Sequence, residues 1–401
     1  ATSARDSTAH SEKLLPSLFT GIIRLSLSHL LYFGGLVQYA GQRRGSFVFS
    51  DFLGIWMPDL SICIMRLSAI GDVTHVVPVI HAIRTHLPQS RITWIIGKLE
   101  ARLLNGLPGV EFIVFDKKGG YGAVRNLRKA LRKRKFDVLL HMQVAARANL
   151  LSTLVKSPRR IGWDKSRWRD RHQWFINQSV KYVAEQHQVD AFLEFAQALG
   201  VPAEPPTWNL PVSEKDINWA RQTLGDGPPI LMISPCSSHT LRNWQATRYA
   251  EVADHAISEL GMRVVLTGGP SDLEIATGQE IESSMQFKPL NLIGKDTICQ
   301  SVALLKQAAV VLSPDSGPAH LASAVGTAVI GLYAATPSKR SGPYNSLALC
   351  VDRYTEAAHN FRHKEPQDLR WGQRIEYPGV MDLIETPEVI EKLNEFMATR
   401  L

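Results

Sequence analysis

The chain has 401 residues, 45% hydrophobic and 20% charged, the proportions of a globular protein with room for two full cores. Its formal charge of +8 and pI near 9.3 point to an anionic partner without choosing among nucleic acid, a membrane surface and an anionic glycolipid. No apolar run reaches the roughly 18 residues of a spanning helix, and Cys63, Cys236, Cys299 and Cys350 form neither a Cys-x-x-Cys pair nor a zinc-spaced cluster, which reads as reduced cysteines in a cytosolic protein.

Residues 1–56 differ in character from the rest of the chain. Leu14 to Ala40 is apolar but broken by Arg24 and His29, and neither the charged start nor the cleavage site of a signal peptide is clear. An interfacial helix is one reading of this stretch. A poorly packed extension, or one outside the natural start, is the reading adopted, with Met57 the expected first residue. Leu60–Leu67 is then the first convincing strand. A Gly71-Asp72 turn, a helix from about Val76 to His86 and a strand at Arg91–Ile96 complete a βαβ opening. Strands are predicted at Phe112–Phe115, Val138–His141 and from Ile161, with helices at Val124–Lys135 and Ala145–Val155. A helix at Gln188–Leu199 closes a first doubly wound domain, residues 57–200, whose ligands belong at the carboxyl ends of its strands.

Residues 201–228, with Pro205-Pro206, read as a linker. Residues 229–401 repeat the alternation: strands at Pro229–Ile233, Arg263–Leu266, Leu290–Leu292, Ala308–Val311 and Ala328–Tyr333, and helices at Arg248–Glu259, Asp272–Met285 and Ile298–Gln307. A final helix is predicted at Pro387–Arg400, in a position to pack back on the first domain. The inferred fold class is α/β, with two facing Rossmann-like domains and one ligand site in each.

Four stretches carry residues suited to chemistry. In the first domain Asp72 is placed to act as a general base for an acceptor hydroxyl, or else to cap the helix behind Gly71. Ser237, Ser238 and Arg242 follow a strand and suit a diphosphate, because phosphate oxygens accept several donors and Arg binds them bidentately; a polar surface loop is the alternative. Gly268-Gly269 with Glu274 resembles a turn facing a nucleotide ribose, or a plain strand–helix connection. Asp315-Ser316-Gly317-Pro318, followed by His320, reads as a tight turn and a helix start after the strand Ala308–Val311, either a ready anion site or an ordinary strand-to-helix turn. Lys117–Lys135 holds nine basic residues on an amphipathic pattern, either a solvated face or a surface for anionic lipid. The cluster Arg159, Arg160, Lys165, Arg167, Arg169 and Arg171, interleaved with Trp163 and Trp168, has the look of a nucleic-acid stacking surface. No nucleic-acid fold accompanies it, and no nucleic-acid partner is assigned.

From about Ser61 onward the sequence resembles the family 9 glycosyltransferases, the ADP-heptose:lipopolysaccharide heptosyltransferases. The resemblance rests on Arg66-Leu-Ser-Ala-Ile-Gly-Asp-Val-Thr-His75 and Ser313-Pro-Asp-Ser-Gly-Pro-Ala-His-Leu321, supported in order and distance by Pro235–Trp244 and Thr267–Glu274. It implies GT-B architecture and an inverting, metal-independent transfer of heptose from ADP-heptose, with no other cofactor. The acceptor would be the inner core of lipopolysaccharide, either Kdo-lipid A or a heptosylated core. Asp72 would be the base and Arg242 would stabilise the leaving group. Ser237, Ser238, Arg242, Glu274, Asp315, Ser316, Gly317 and His320 would hold the donor, and Arg66, Arg147 and Arg159 the acceptor. The family often has Lys where Arg242 stands and Thr where Ser237 and Ser238 stand, changes that keep charge and donors. The implied location is cytoplasmic, peripheral at the inner membrane. A sugar-nucleotide epimerase of the same fold and a non-catalytic glycolipid-binding protein are the alternatives, though an epimerase needs acid and base groups on both sides of the sugar.

Overall fold

A computed structural model describes residues 59–400, so the expectations for residues 1–56 and for Met57 lie outside the described residues. Two six-stranded parallel sheets form its frame. The first contains β1 (Ser61–Met65), β2 (Arg91–Gly97), β3 (Val110–Phe115), β4 (Val138–His141), β5 (Arg159–Gly162) and β6 (Gln178–Ser179) in the order β3-β2-β1-β4-β5-β6. The second contains β7 (Ile230–Ile233), β8 (Arg263–Leu266), β9 (Leu290–Asn291), β10 (Val310–Pro314), β11 (Ala328–Tyr333) and β12 (Val351–Asp352). Its order, β12-β11-β10-β7-β8-β9, is the first topology repeated. The central strands read as unbroken apolar runs because helices cover both faces of a parallel sheet. Ile62, Cys63, Ile64 and Met65 of β1, like Leu231, Met232 and Ile233 of β7, are wholly enclosed.

In each sheet the strand order reverses beside the first strand: β1 lies between β2 and β4, and β7 between β8 and β10. Ile62 pairs with both Ile92 and Val138, and Leu231 with both Val264 and Val310. Such reversals open a crevice at the carboxyl ends of the strands. The segments after β1, β7 and β10 carry Asp72, Ser238 and Asp315, so the topology itself delivers these residues to the crevices.

The helices are α1 (Ile70–His86), α2 (Lys98–Leu103), α3 (Gly120–Leu131), α4 (Ala146–Ser152), α5 (Gln188–Gln197), α6 (Glu214–Leu224), α7 (Ala246–Ser258), α8 (Asp272–Ser284), α9 (Ile298–Gln307), α10 (Gly317–Ala324), α11 (Ser338–Ser341), α12 (Tyr354–Ala357) and α13 (Thr386–Ala398). α3 runs from Gly120 to Leu131 and not from Val124 to Lys135, and three others depart further from expectation. α1 begins at Ile70, not near Val76, because the Asp72 carboxylate turns back to accept the Ala69 N–H at 3.3 Å. The predicted turn is therefore the helix's first turn, and Val73, Val76, Val77, Ile80 and Ile83 bury its inner face, each worth about 1.5–3 kcal/mol. The expected linker contains α6, capped by the Ser213 hydroxyl, with Ala220 and Leu224 in the core shared with α9. The last helix, α13, buries Val389 and Leu393 in the core of the second sheet, not against the first. Arg353 ties it there through Glu388, and His255 through Asn394.

Candidate active site

A cleft of about 790 Å³ runs between the two sheets' crevices. Arg66 and Asp72 line it from the first sheet, and Ser238, Arg242, Asp315, Ser316, Gly317 and His320 from the second. Seven arginines (Arg66, Arg167, Arg169, Arg242, Arg340, Arg370 and Arg374) face it against three carboxylates, Asp72, Glu185 and Asp315. A cleft with that balance suits a polyanionic ligand.

Asp72 serves two purposes at once. It closes the first turn of α1, and its carboxylate also accepts the Gln188 side-chain amide at 2.5 Å and pairs with Arg66. Arg66 in turn donates to the Met142 carbonyl at 2.6 Å and lies over the Phe192 ring. Its guanidinium is thus a brace for Asp72. Gly71 lies against His320: a Cβ there would come within 2.5 Å of His320 Cδ2, so only glycine lets α1 and α10 meet this closely. His75, one turn further along α1, packs edge-on to the His320 ring at 4.8 Å. Burial, together with the neighbouring His320, His187 and arginines, pushes His75 well below the ordinary histidine value and keeps it neutral.

On the facing side, β10 ends at Pro314 and α10 starts behind the Ser316 cap. Ser316 shares a 2.8 Å hydrogen bond with Ser313. Asp315 accepts the Thr336 hydroxyl at 2.9 Å and stands 3.7 Å from His320 Nε2 and 3.6 Å from Arg242. Burial alone would raise the Asp315 carboxyl; contacts with His320, Arg242 and Thr336 outweigh it and leave the group below the usual carboxylate range. Arg242 is enclosed, and its Nε donates to Glu376 at 2.8 Å. Glu376 lies 134 residues from Arg242 and carries no sequence signal linking the two.

Other expected residues stand elsewhere. The Ser237 hydroxyl is spent on the His239 carbonyl at 2.8 Å, and only Ser238 lines the cleft. Glu274 accepts the Gly269 N–H and the Ser271 hydroxyl, each at 2.7 Å, closing the turn before α8. It does not line the cleft, and a Cβ at Gly269 would sit 2.8 Å from it. Arg159 donates to Gln178 at 2.8 Å and to the Ala198 carbonyl, while exposed Arg147 donates to the Lys117 carbonyl at 3.2 Å. Neither reaches the cleft. The arginine–tryptophan cluster offers no open stacking platform. Trp163 is enclosed, Arg167 lies over its ring at 4.5 Å and bonds Glu194 at 2.7 Å, and Trp168 donates to the Trp163 carbonyl. Arg340, Gln188 and Glu376 carry no signal in the sequence; Gln188 and Glu376 meet Asp72 and Arg242 only through the tertiary fold, and Arg340 reaches the cleft the same way. Among the described residues no group of three or more His, Cys, Asp or Glu is arranged to hold a metal ion.

Two doubly wound sheets facing across a polar cleft define a GT-B fold, the architecture of many nucleotide-sugar glycosyltransferases. The sequence matches glycosyltransferase family 9 (heptosyltransferase) over residues 124–369. It is 38% identical over 335 residues to the lipopolysaccharide core heptosyltransferase OpsX of Haemophilus influenzae, an alignment covering 84% of this chain and 96% of that protein. Among solved structures, a family 9 glycosyltransferase from Veillonella parvula superposes with a TM-score of 0.71 at 22% identity, covering 85% of this chain and 98% of that one. The ADP-heptose lipopolysaccharide heptosyltransferase II of E. coli gives 0.66 at 20% identity, covering 85% and 99%. The chain belongs to glycosyltransferase family 9, the heptosyltransferases.

Proposed function

We propose that this chain transfers heptose from ADP-heptose to the inner core of lipopolysaccharide, Kdo-lipid A or a heptosylated core, with inversion and without a metal ion. The observation that carries this reading is the pairing across one cleft of a fixed carboxylate, Asp72, with the Arg242–Asp315–His320 cluster. Kinship with the OpsX heptosyltransferase supports the acceptor, and the ADP-heptose enzyme of like fold supports the donor.

On this reading the half built on the first sheet receives the acceptor and the half built on the second holds the donor. The acceptor hydroxyl oxygen attacks heptose C1 as the bond from C1 to the diphosphate oxygen breaks. Asp72 takes the hydroxyl proton, and the bonding pair leaves with ADP. Arg66 and Gln188 aim the Asp72 carboxylate. Arg242, Ser238 and the loop of Ser316 and Gly317 meet the diphosphate, and His320 and Asp315 meet the sugar. We assign Arg66 to Asp72 and not to the acceptor, because both its hydrogen bond and its ion pair are already spent within the first domain. Ser237 and Glu274 act by shaping the loops that carry the donor contacts.

Location at the cytoplasmic face of the inner membrane is part of the same proposal. Among the described residues no helix is long and apolar enough to cross a membrane. α3 presents Tyr121, Arg125, Arg128 and Lys129 to solvent while Ala123, Leu127 and Leu131 are buried in the core, leaving an exposed basic face of the kind that anionic headgroups attract.

Incubating the purified chain with ADP-heptose and either Kdo-lipid A or a mono-heptosylated core tests the reading directly. Release of ADP with a one-heptose mass increase on one acceptor is the expected result. Turnover of UDP-GlcNAc with ADP-heptose untouched would overturn it in favour of an epimerase.

A further inference from the structure

Arg340, on α11 just after β11, lines the cleft on the same side as Arg242 and Asp315. Its stem passes beside the loop at Gly372, where any Cβ would collide with Arg340 Cδ and Nε. Among the described residues none accepts a hydrogen bond from its guanidinium, and no carboxylate forms an ion pair with it. Burial draws on its charge while Asp72 and Asp315 support it from either side and Arg374 and Arg169 oppose it. Arg242 is in the opposite condition, with Glu376 at 2.8 Å and Asp315 at 3.6 Å already answering its charge. A nucleoside diphosphate departs as a polyanion, and a cation balanced by two carboxylates neutralises little of it.

We propose that Arg340 is a second diphosphate-binding residue, bonding the β-phosphate that leaves from the sugar. This rests on the reading of the cleft as a nucleotide-sugar site. The forked guanidinium suits a phosphate, since two parallel N–H donors match two phosphate oxygens. Its free state in the structure follows from its function: its partner arrives with the donor.

Calorimetric titration of ADP and AMP into the full chain and into Arg340→Gln, Arg340→Met and Arg340→Lys tests the assignment. AMP lacks the β-phosphate, so the ratio of the two affinities reads that contact alone. In Arg340→Gln the ADP affinity falls at least about tenfold, the size of a lost charge-assisted hydrogen bond. AMP affinity holds, and Arg340→Lys recovers part of the ratio. Arg340→Met keeps the packed stem and gives the same answer should the glutamine variant misfold. An unchanged ADP to AMP ratio in a folded, uncharged variant overturns the proposal. So does a rise confined to the acceptor KM, which would assign the anion to the acceptor. A wild-type chain that binds uridine or guanosine diphosphate and ignores ADP overturns the donor reading instead, and the diphosphate to monophosphate ratio for that base still decides Arg340. Binding of no nucleotide overturns both.

Discussion

Gly71 and His320 touch across the cleft, a glycine of α1 against the imidazole of α10. This contact joins the half that carries Asp72 to the half that carries Asp315, and it leaves no room for a methyl group. Gly71→Ala therefore has to displace the His320 ring, since α1 and α10 are both anchored by core residues. Overpacking of this kind costs about 1–3 kcal/mol. Because the displaced atoms belong to the site, heptose transfer falls about ten- to a hundredfold while the melting temperature changes by a few degrees. Steady-state kinetics beside a thermal melt separates the two, and full activity in a stable Gly71→Ala variant would remove His320 from the reacting geometry.

Asp72 has three partners, and its variants separate the proposed base from its brace. Asp72→Asn keeps the side chain's size and an oxygen for the Ala69 N–H, so the fold and ADP affinity persist while turnover drops by about 10²–10⁴. Gln188→Ala and Arg66→Gln leave the carboxylate but release its aim, giving smaller losses in kcat at little change in donor KM. A Gln188→Ala variant as inactive as Asp72→Asn would show that Gln188 does more than position.

The alternation of apolar runs and turns made the two parallel sheets legible, since fully buried strands such as Ile230–Ile233 can hardly be read otherwise. Asp72, Ser238 and Asp315 were legible for a related reason: each follows a strand at or beside the point where the sheet order reverses. Helix ends were less so. The start of α1 is set by a side-chain-to-backbone bond at Asp72, a local choice that periodicity does not encode. Arg159 and Arg147 are implied as acceptor ligands only by the resemblance, as cations for an anionic acceptor; in the structure they donate to backbone carbonyls and stand away from the cleft. Glu376 and Gln188 were invisible, for they meet Arg242 and Asp72 across 134 and 116 residues of chain.

Buried histidines limit stability in acid: His75 and His141, both pushed well below the ordinary value by burial, and also His172 and His187. Trp163 donates its backbone N–H to His172 Nε2 at 3.3 Å, and Nδ1 faces the Asn149 side-chain oxygen at 2.9 Å. Val189 donates to His187 Nδ1 at 3.1 Å, and Nε2 donates to the Gly342 carbonyl at 3.0 Å. Each arrangement needs a neutral ring. Burial lowers both from 6.5 to about 4, at His187 against an opposing backbone hydrogen bond. The unfolded rings bind protons that the folded rings refuse, so stability is full above about 6.5 and declines as pH falls toward 4. Each gap corresponds to about 3 kcal/mol. Denaturant midpoints at pH 7.5, 6 and 5 should fall in that order, and His172→Asn should flatten the slope. Equal midpoints at pH 7.5 and 5 would contradict the assignment.

The proposed membrane attachment through α3 makes a separate demand. Of the nine basic residues in Lys117–Lys135, Lys117 is held by Glu100 at 3.0 Å and Arg134 by Glu111 at 2.7 Å. Arg125, Arg128 and Lys129 stand on the exposed face beside Tyr121. Each basic side chain near an anionic surface contributes about 1 kcal/mol. Replacing the three by serine should therefore weaken binding to vesicles containing anionic phospholipid on the order of a hundredfold, with binding to neutral vesicles weak throughout. Because these side chains lie away from the cleft, turnover of a detergent-dispersed acceptor stays at the wild-type rate. Raised salt should reproduce the triple variant's loss in the unaltered chain, since exposed charges are screened within about 10 Å at 0.1 M. Co-sedimentation with vesicles that is indifferent to both the substitutions and the salt would place the attachment on another surface.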